Sequence, residues 1–177
     1  MNKCFFIVGL SASGKTTLAT RLVDHLRETG FQSILVDGDQ INQFSILNKY
    51  NGHDLESRLQ RGKDLTNFVQ WLIMCNVIPV ISVIGQPAKL RTYWKKQINS
   101  YTEIQLKCDV KTCQKRDKKN LYNRALNEDL KNVIGIDIPY KDPLTSNLTI
   151  DAINLTEEEV FKEVLEHFQL KSLDSSN

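Results

Sequence analysis

The residues Gly9-Leu10-Ser11-Ala12-Ser13-Gly14-Lys15-Thr16 set a glycine, four free positions and then Gly-Lys with a hydroxyl residue, which is the spacing of a loop that cradles polyphosphate. Glycines let the backbone curl so that successive N–H groups converge on an anion. A helix that starts behind them adds its unsatisfied N–H groups and the positive end of its dipole. In this pattern Lys15 reaches the β- and γ-phosphates and the Thr16 hydroxyl ligates Mg²⁺. At ordinary residue frequencies, chance supplies a match in roughly one chain of this length per hundred. The stretch therefore predicts binding of a nucleoside triphosphate with Mg²⁺. A second chemical pair is Asp37 and Asp39, in Asp37-Gly38-Asp39. One of them can cap a short helix, but a nucleotide site alongside makes a purely structural role for both the weaker reading.

The elements that position these groups follow from apolar spacing. Cys4 to Val8 reads as a buried strand feeding the loop, and Thr17 to Thr29 as a helix with Leu18, Ala19, Leu22, Val23 and Leu26 on one face, stopped by Gly30. Ser33 to Val36 is a second strand. It ends at the aspartates, so these sit beyond the carboxyl end of a strand, as the phosphate loop does. After a turn at 49–53, a helix runs from about Asp54 to Cys75 with Leu55, Leu59, Leu65, Phe68, Val69, Leu72 and Ile73 inward and with Arg58, Arg61 and Lys63 near its start. Further strands are expected at about Val80 to Ile84, with Pro79 at its entry, at Glu103 to Asp109 and at Asn147 to Ile150. Gly85-Gln86-Pro87 turns into a helix through about Asn99, and Thr156 and Glu159 have capping-box spacing before a last helix with Val160, Phe161, Val164, Leu165 and Phe168 on one face. Five strands alternating with helices give a parallel, doubly wound α/β sheet. The expected organisation is one domain over 1–170, a basic lid over about 111–135, and a loose tail over 171–177.

The totals bound the alternatives. The chain has 177 residues, 41% of them apolar and 25% charged, a formal charge of +2 and a pI near 8.3. That charge is too mild to indicate a nucleic-acid partner. The basic run from Lys111 to Arg124 contains a single aromatic, Tyr122, so base stacking is poorly served and a lid over phosphates is the better reading. No apolar run approaches the ~20 residues that span a bilayer. Cys4, Cys75, Cys108 and Cys113 form no Cys-x-x-Cys pair. They read as reduced, buried thiols, which suits a cytoplasmic enzyme.

Beyond these features, the chain resembles the adenylyl-sulfate (APS) kinase family. The matching segments are GLSASGKTT from Gly9 to Thr17, VDGD from Val36 to Asp39, Arg58, CQKRD from Cys113 to Asp117, Leu121-Tyr122 with Ala125, and Gly135-Ile136-Asp137 with Pro139-Tyr140. They run in consistent order over about residues 4 to 151. The resemblance implies a three-layer P-loop kinase fold, a five-stranded parallel sheet with helices on both faces and a basic lid. It implies transfer of the γ-phosphate of ATP to a ribose 3′-hydroxyl. ATP would be held by Gly9 through Thr17 and Arg116, and the metal by Thr16 and, through water, Asp37. Lys15, Asp37 and Asp39 would be catalytic. The acceptor would meet Asp39, Asn42, His53, Arg58, Arg61, Ile84, Gly85, Lys119 and Val133. The partners implied are a nucleotide acceptor and, as often in this family, a second copy in a homodimer, with neither nucleic acid nor membrane.

The departures from the family pattern cluster at the acceptor. Asn42 replaces an arginine, His53 and Val133 stand where two phenylalanines stack the acceptor adenine, Arg61 replaces an asparagine, Gly85 replaces a serine, and Asn123 replaces a lid lysine. Two acceptors fit this reading, adenylyl sulfate itself and cytidine diphosphoramidate, the substrate of a family branch. The contrasting class is a nucleotide-dependent switch or binding module without turnover. No guanine-recognition motif of the GTPase kind is present to favour it.

Overall fold

The computed structural model describes residues 4–41, 52–143 and 145–170 of the chain. Five strands form one parallel sheet: β1 Cys4–Val8, β2 Ser33–Asp37, β3 Ile78–Val83, β4 Tyr101–Lys107 and β5 Leu148–Asp151, in the order β2-β3-β1-β4-β5. The order follows from burial on both faces, which near-continuous apolar runs allow and alternating ones do not. Cys4, Phe5, Phe6, Ile7 and Val8 are all fully buried, so β1 must lie at the centre. It pairs with β3 from Phe5↔Val80 to Val8↔Val83 and with β4 from Cys4↔Tyr101 to Val8↔Gln105.

The helices cover both faces. On one side α1 (Lys15–Glu28) and α7 (Glu157–Phe168) pack with Phe5, Ile7, Leu18, Leu22, Leu26, Ile104 and Val164. On the other, α3 (Leu55–Met74) and α4 (Ala88–Gln97) pack with Phe6, Val8, Leu59, Val69, Ile81 and Trp94. Each such large side chain contributes ~1.5–3 kcal/mol by leaving water. The two helices of the second layer meet at Gly62. A Cβ there would run into the Leu90 side chain, and the Gly62 carbonyl accepts a 2.9 Å bond from Trp94 Nε1. A third cluster, built on Leu10, Cys113, Tyr122, Ala125, Val133 and Ile134, seats α5 (Val110–Arg116) and α6 (Leu121–Leu126) over the carboxyl end of the sheet.

The observed elements correct several expectations. Pro79 lies inside β3 rather than at its entry. The Ile78 N–H donates to Gln32 O, so the missing N–H of Pro79 faces β1, where pairing begins only at Val80, and no ladder bond is lost. Leu55 is exposed because α3 begins there, capped by Asp54 through Glu56 N and Ser57 N. Cys75 is exposed and Cys108 partly so, while Cys4 and Cys113 are buried, all four as free thiols. Cys75 is the C-cap of α3, where the chain leaves the packed face. The capping box of α7 is present in both halves. Asn42, the first part of the 49–53 turn and the 171–177 tail lie outside the described residues.

Candidate active site

A cleft of about 730 Å³ runs along the carboxyl ends of the strands. Its floor is the loop between β1 and α1. Gly9 lets the loop leave β1 close to the sheet, since a Cβ there would sit 2.6 Å from Leu106 O and 2.9 Å from Ser13 Oγ. Gly14 takes a left-handed φ of +97° as the N-cap of α1, a conformation glycine adopts without penalty. That helix start has no side-chain cap and no acidic residue in its first turn, which leaves its N–H groups and dipole to an anion. Ser11 to Thr17 line the cleft, whereas Gly9 and Leu10 lie behind it.

Lys15 is buried, its Nζ donating to Leu10 O at 2.5 Å. Burial lowers its pKa to about 8, against the raising influence of Cys113, Asp39 and Asp37. Thr16 Oγ1 donates to Asp37 Oδ2 at 2.7 Å and lies 3.2 Å from Ser82 Oγ. The other Asp37 oxygen accepts from Asp39 N at 2.9 Å and Gln40 N at 3.4 Å. Asp37 thus caps the short α2 (Gly38–Ile41) and faces the phosphate loop at once. Asp39 instead projects into the cleft with a 2.6 Å ion pair to Lys119 of the lid.

Beyond the β2 and β3 ends the cleft is lined by Arg58, Arg61, Gly62, Ile84 and Gly85 among others. Arg58 Nε donates to His53 O at 2.7 Å and its Nη2 to Asn132 O at 3.2 Å, drawing together the segments that carry His53 and Val133. Arg61 Nη1 donates to Gly52 O at 2.6 Å. Burial and the neighbouring Arg61 lower the Arg58 pKa, and Asp39 is within electrostatic reach of it. Burial, Arg58 and Arg61 push His53 below its ordinary value, so its imidazole is neutral at pH 7. His53 and Val133 do not line the cleft. Val133 turns into the apolar cluster under the lid, 4% exposed, because an aliphatic side chain is more stable there than facing water. The described aromatic that lines the cleft is Trp94.

The opposite end, past β4 and β5, is lined by Arg21, Leu106, Arg116, Ala152, Leu155, Thr156, Glu157 and Val160. Sequence reading finds Arg116 alone among these. Thr156 was legible as a cap, but nothing local shows that the β5–α7 turn joins the site. Arg116 Nη1 donates to Ala152 O at 2.9 Å and Nη2 to Ile153 O at 3.1 Å, which fixes the lid stem against that turn. Of the basic run, Arg116, Lys118 and Lys119 reach the cleft; the rest is solvated surface or helix end.

The family model for adenylylsulphate kinase matches residues 1–151. This chain belongs to the adenylylsulphate kinase family. As a member it is an ATP-dependent phosphotransferase whose acceptor group is an alcohol. It is 29% identical over 165 residues to the adenylyl-sulfate kinase of Clostridium acetobutylicum, covering 93% of this chain and 82% of that one. It is 31% identical over 138 residues to the cytidine diphosphoramidate kinase of Campylobacter jejuni, covering 78% and 79%. The adenylylsulphate kinase fold is shared with the Mycobacterium tuberculosis APS kinase solved with AMPPNP and APS, at a TM-score of 0.86 and 24% identity, over 94% of this chain and 97% of that one. Among the described residues, no helix is long and apolar enough to cross a membrane.

Proposed function

We propose that this kinase transfers the γ-phosphate of ATP to the ribose 3′-hydroxyl of cytidine diphosphoramidate in preference to adenylyl sulfate. The observation that carries the reading is the base end of the cleft, which His53 and Val133 do not line. The forks of Arg58 and Arg61, near Asp39, suit the phosphate-type oxygens of either acceptor. At the two positions where the family resemblance places rings that stack the adenine, this chain has His53 and Val133, and neither lines the cleft. Base–aromatic stacking is worth ~1–3 kcal/mol per base, so a smaller pyrimidine that hydrogen-bonds through its edge loses less here than adenine does.

The chain's own groups divide the work. Lys15 and the N–H groups at the start of α1 hold the triphosphate and meet the charge that develops on the transferred oxygens. Thr16 and, through water, Asp37 fit Mg²⁺, which favours a few hard protein ligands and keeps waters; when bound, it would neutralise phosphate charge. Both oxygens of Asp37 are already engaged, whereas Asp39 is exposed and holds Lys119 through one oxygen. Asp39 therefore orients the acceptor hydroxyl and accepts its proton once Lys119 is drawn to the substrate. Arg116 and the β5–α7 turn hold the donor nucleoside, and Ile84 and Gly85 border the acceptor.

The test compares kcat/KM for cytidine diphosphoramidate and adenylyl sulfate at matched ATP and Mg²⁺. The diphosphoramidate is expected to win. A hundredfold advantage for adenylyl sulfate, about 2.7 kcal/mol of transition-state preference, would falsify the acceptor assignment. Absence of ATP consumption with either would remove the kinase reading in favour of a binding module.

A further inference from the structure

Ser82 is buried at 4% exposure near the end of β3, in register with Asp37 on β2 and Ile7 on β1. It lines the cleft, and its hydroxyl stands 3.2 Å from Thr16 Oγ1. A hydroxyl has one proton to give and two lone pairs to receive with. Thr16 gives its proton to Asp37 Oδ2, the shorter contact at 2.7 Å and one strengthened by the carboxylate charge. The proton between Thr16 and Ser82 therefore belongs to Ser82. With one neighbour accepting from it and another donating to it, Thr16 Oγ1 keeps a single lone pair, whose direction both neighbours fix.

We propose that Ser82 is a positioning residue for metal binding: its hydroxyl donates to Thr16, keeps the Thr16 proton directed at Asp37, and leaves one Thr16 lone pair that would serve a metal. The inference rests on the reading above that Thr16 and Asp37 hold the metal. Ser82 itself ligates nothing. It acts as groups behind a metal ligand do, and removing such groups typically weakens metal binding 10–100-fold. A serine within an apolar strand draws no notice in the sequence, because only the parallel register with β2 and the loop after β1 bring it to this corner.

The probe is Mn²⁺, titrated into the full chain saturated with ADP and followed by electron paramagnetic resonance. Ser82→Ala is expected to weaken Mn²⁺ binding about tenfold, with metal-free ADP affinity unchanged, and Ser82→Thr is expected to bind Mn²⁺ as the wild type does. Thr16→Ala serves as the reference for the site. If Thr16→Ala weakens Mn²⁺ binding and Ser82→Ala does not, the Ser82 role is overturned and the metal reading stands. If Ser82→Ala and Ser82→Thr are weakened alike, shape rather than the hydroxyl matters, and the role is again overturned. If Thr16→Ala has no effect, the metal reading falls and takes this inference with it.

Discussion

At the residue scale, Lys15 is held at a cost before nucleotide arrives. Burial lowers its pKa from 10.5 to about 8, so between those values the unfolded chain binds more protons than the folded one and stability rises with pH. Below pH 8 the full penalty of a buried ammonium is present, on the order of 3 kcal/mol. Lys15→Met is therefore expected to abolish phosphoryl transfer yet stabilise the fold at pH 7. The gap to wild type should close as pH rises from 8 to about 10.5, read by chemical denaturation at several pH values. A variant less stable than wild type at pH 7 would contradict this account. ATP reverses the penalty, because phosphate charge holds the ammonium protonated. Between about pH 8 and 10, ATP binding should take up a proton, seen as a dependence of calorimetric enthalpy on the buffer's ionisation heat. The lysine and its loop were legible in the sequence because the whole chemical pattern lies within eight neighbouring positions. The different settings of Asp37 and Asp39 were not. They depend on which carboxylate the short α2 captures, and Asp37 proves to be the capping one.

At the element scale, the end of the cleft that holds Arg58 and Arg61 depends on how α3 crosses α4. Gly62 permits the crossing, with Leu90 against its Cα face and Trp94 Nε1 on its carbonyl. Arg61 is its immediate neighbour and Arg58 lies one turn earlier. Gly62→Ala gains helix propensity of roughly 1 kcal/mol but overpacks Leu90, which typically costs ~1–3 kcal/mol. The expected outcome is a lower melting temperature and a raised acceptor KM with ATP KM little changed, measured by thermal scans and initial rates. Unchanged acceptor KM would mean that α3 does not set the arginines. This crossing was hidden in the sequence, where a glycine inside a helical pattern reads only as a weak spot. Arg58 was visible as a charge near a helix start, but its bond to Asn132 O spans 74 positions and no local pattern reports it. The lid is tied down at several points: Tyr122 Oη donates to Ser11 O at 2.9 Å, Arg116 grips the β5–α7 turn, and Lys119 meets Asp39. Both members of that last pair are exposed, and such pairs contribute about 0–1 kcal/mol, so substrate displaces it readily.

At the scale of the whole molecule, the order β2-β3-β1-β4-β5 sets the two halves of the cleft on either side of the phosphate loop. Donor and acceptor can then occupy one continuous cleft together, and direct transfer is the expected outcome. Gly85, where the family resemblance places a serine, has φ of +72°, and a Cβ there would lie 2.9 Å from Val8 Cγ1, so this position offers no hydroxyl for a covalent intermediate. Initial rates with both substrates varied should give intersecting reciprocal plots, and labelled ATP alone should leave no label on the protein. Parallel plots with stoichiometric labelling would overturn this. The architecture itself was legible, since apolar runs and helical spacing recur in strict alternation and permit few topologies. The strand ends shifted by a residue or two, because pairing partners rather than composition decide where a ladder stops. The packing at Trp94 also has an optical consequence. The chain holds two tryptophans; Trp71 is 54% exposed and Trp94 only 1%, and Trp94 is bonded to the carbonyl of a residue that lines the cleft. A soluble quencher such as iodide separates the two emissions, and Trp71→Phe leaves a single emitter seated where α3 meets α4. An acceptor bound at that end of the cleft is therefore expected to change the Trp94 emission, readable by stopped flow without any attached dye.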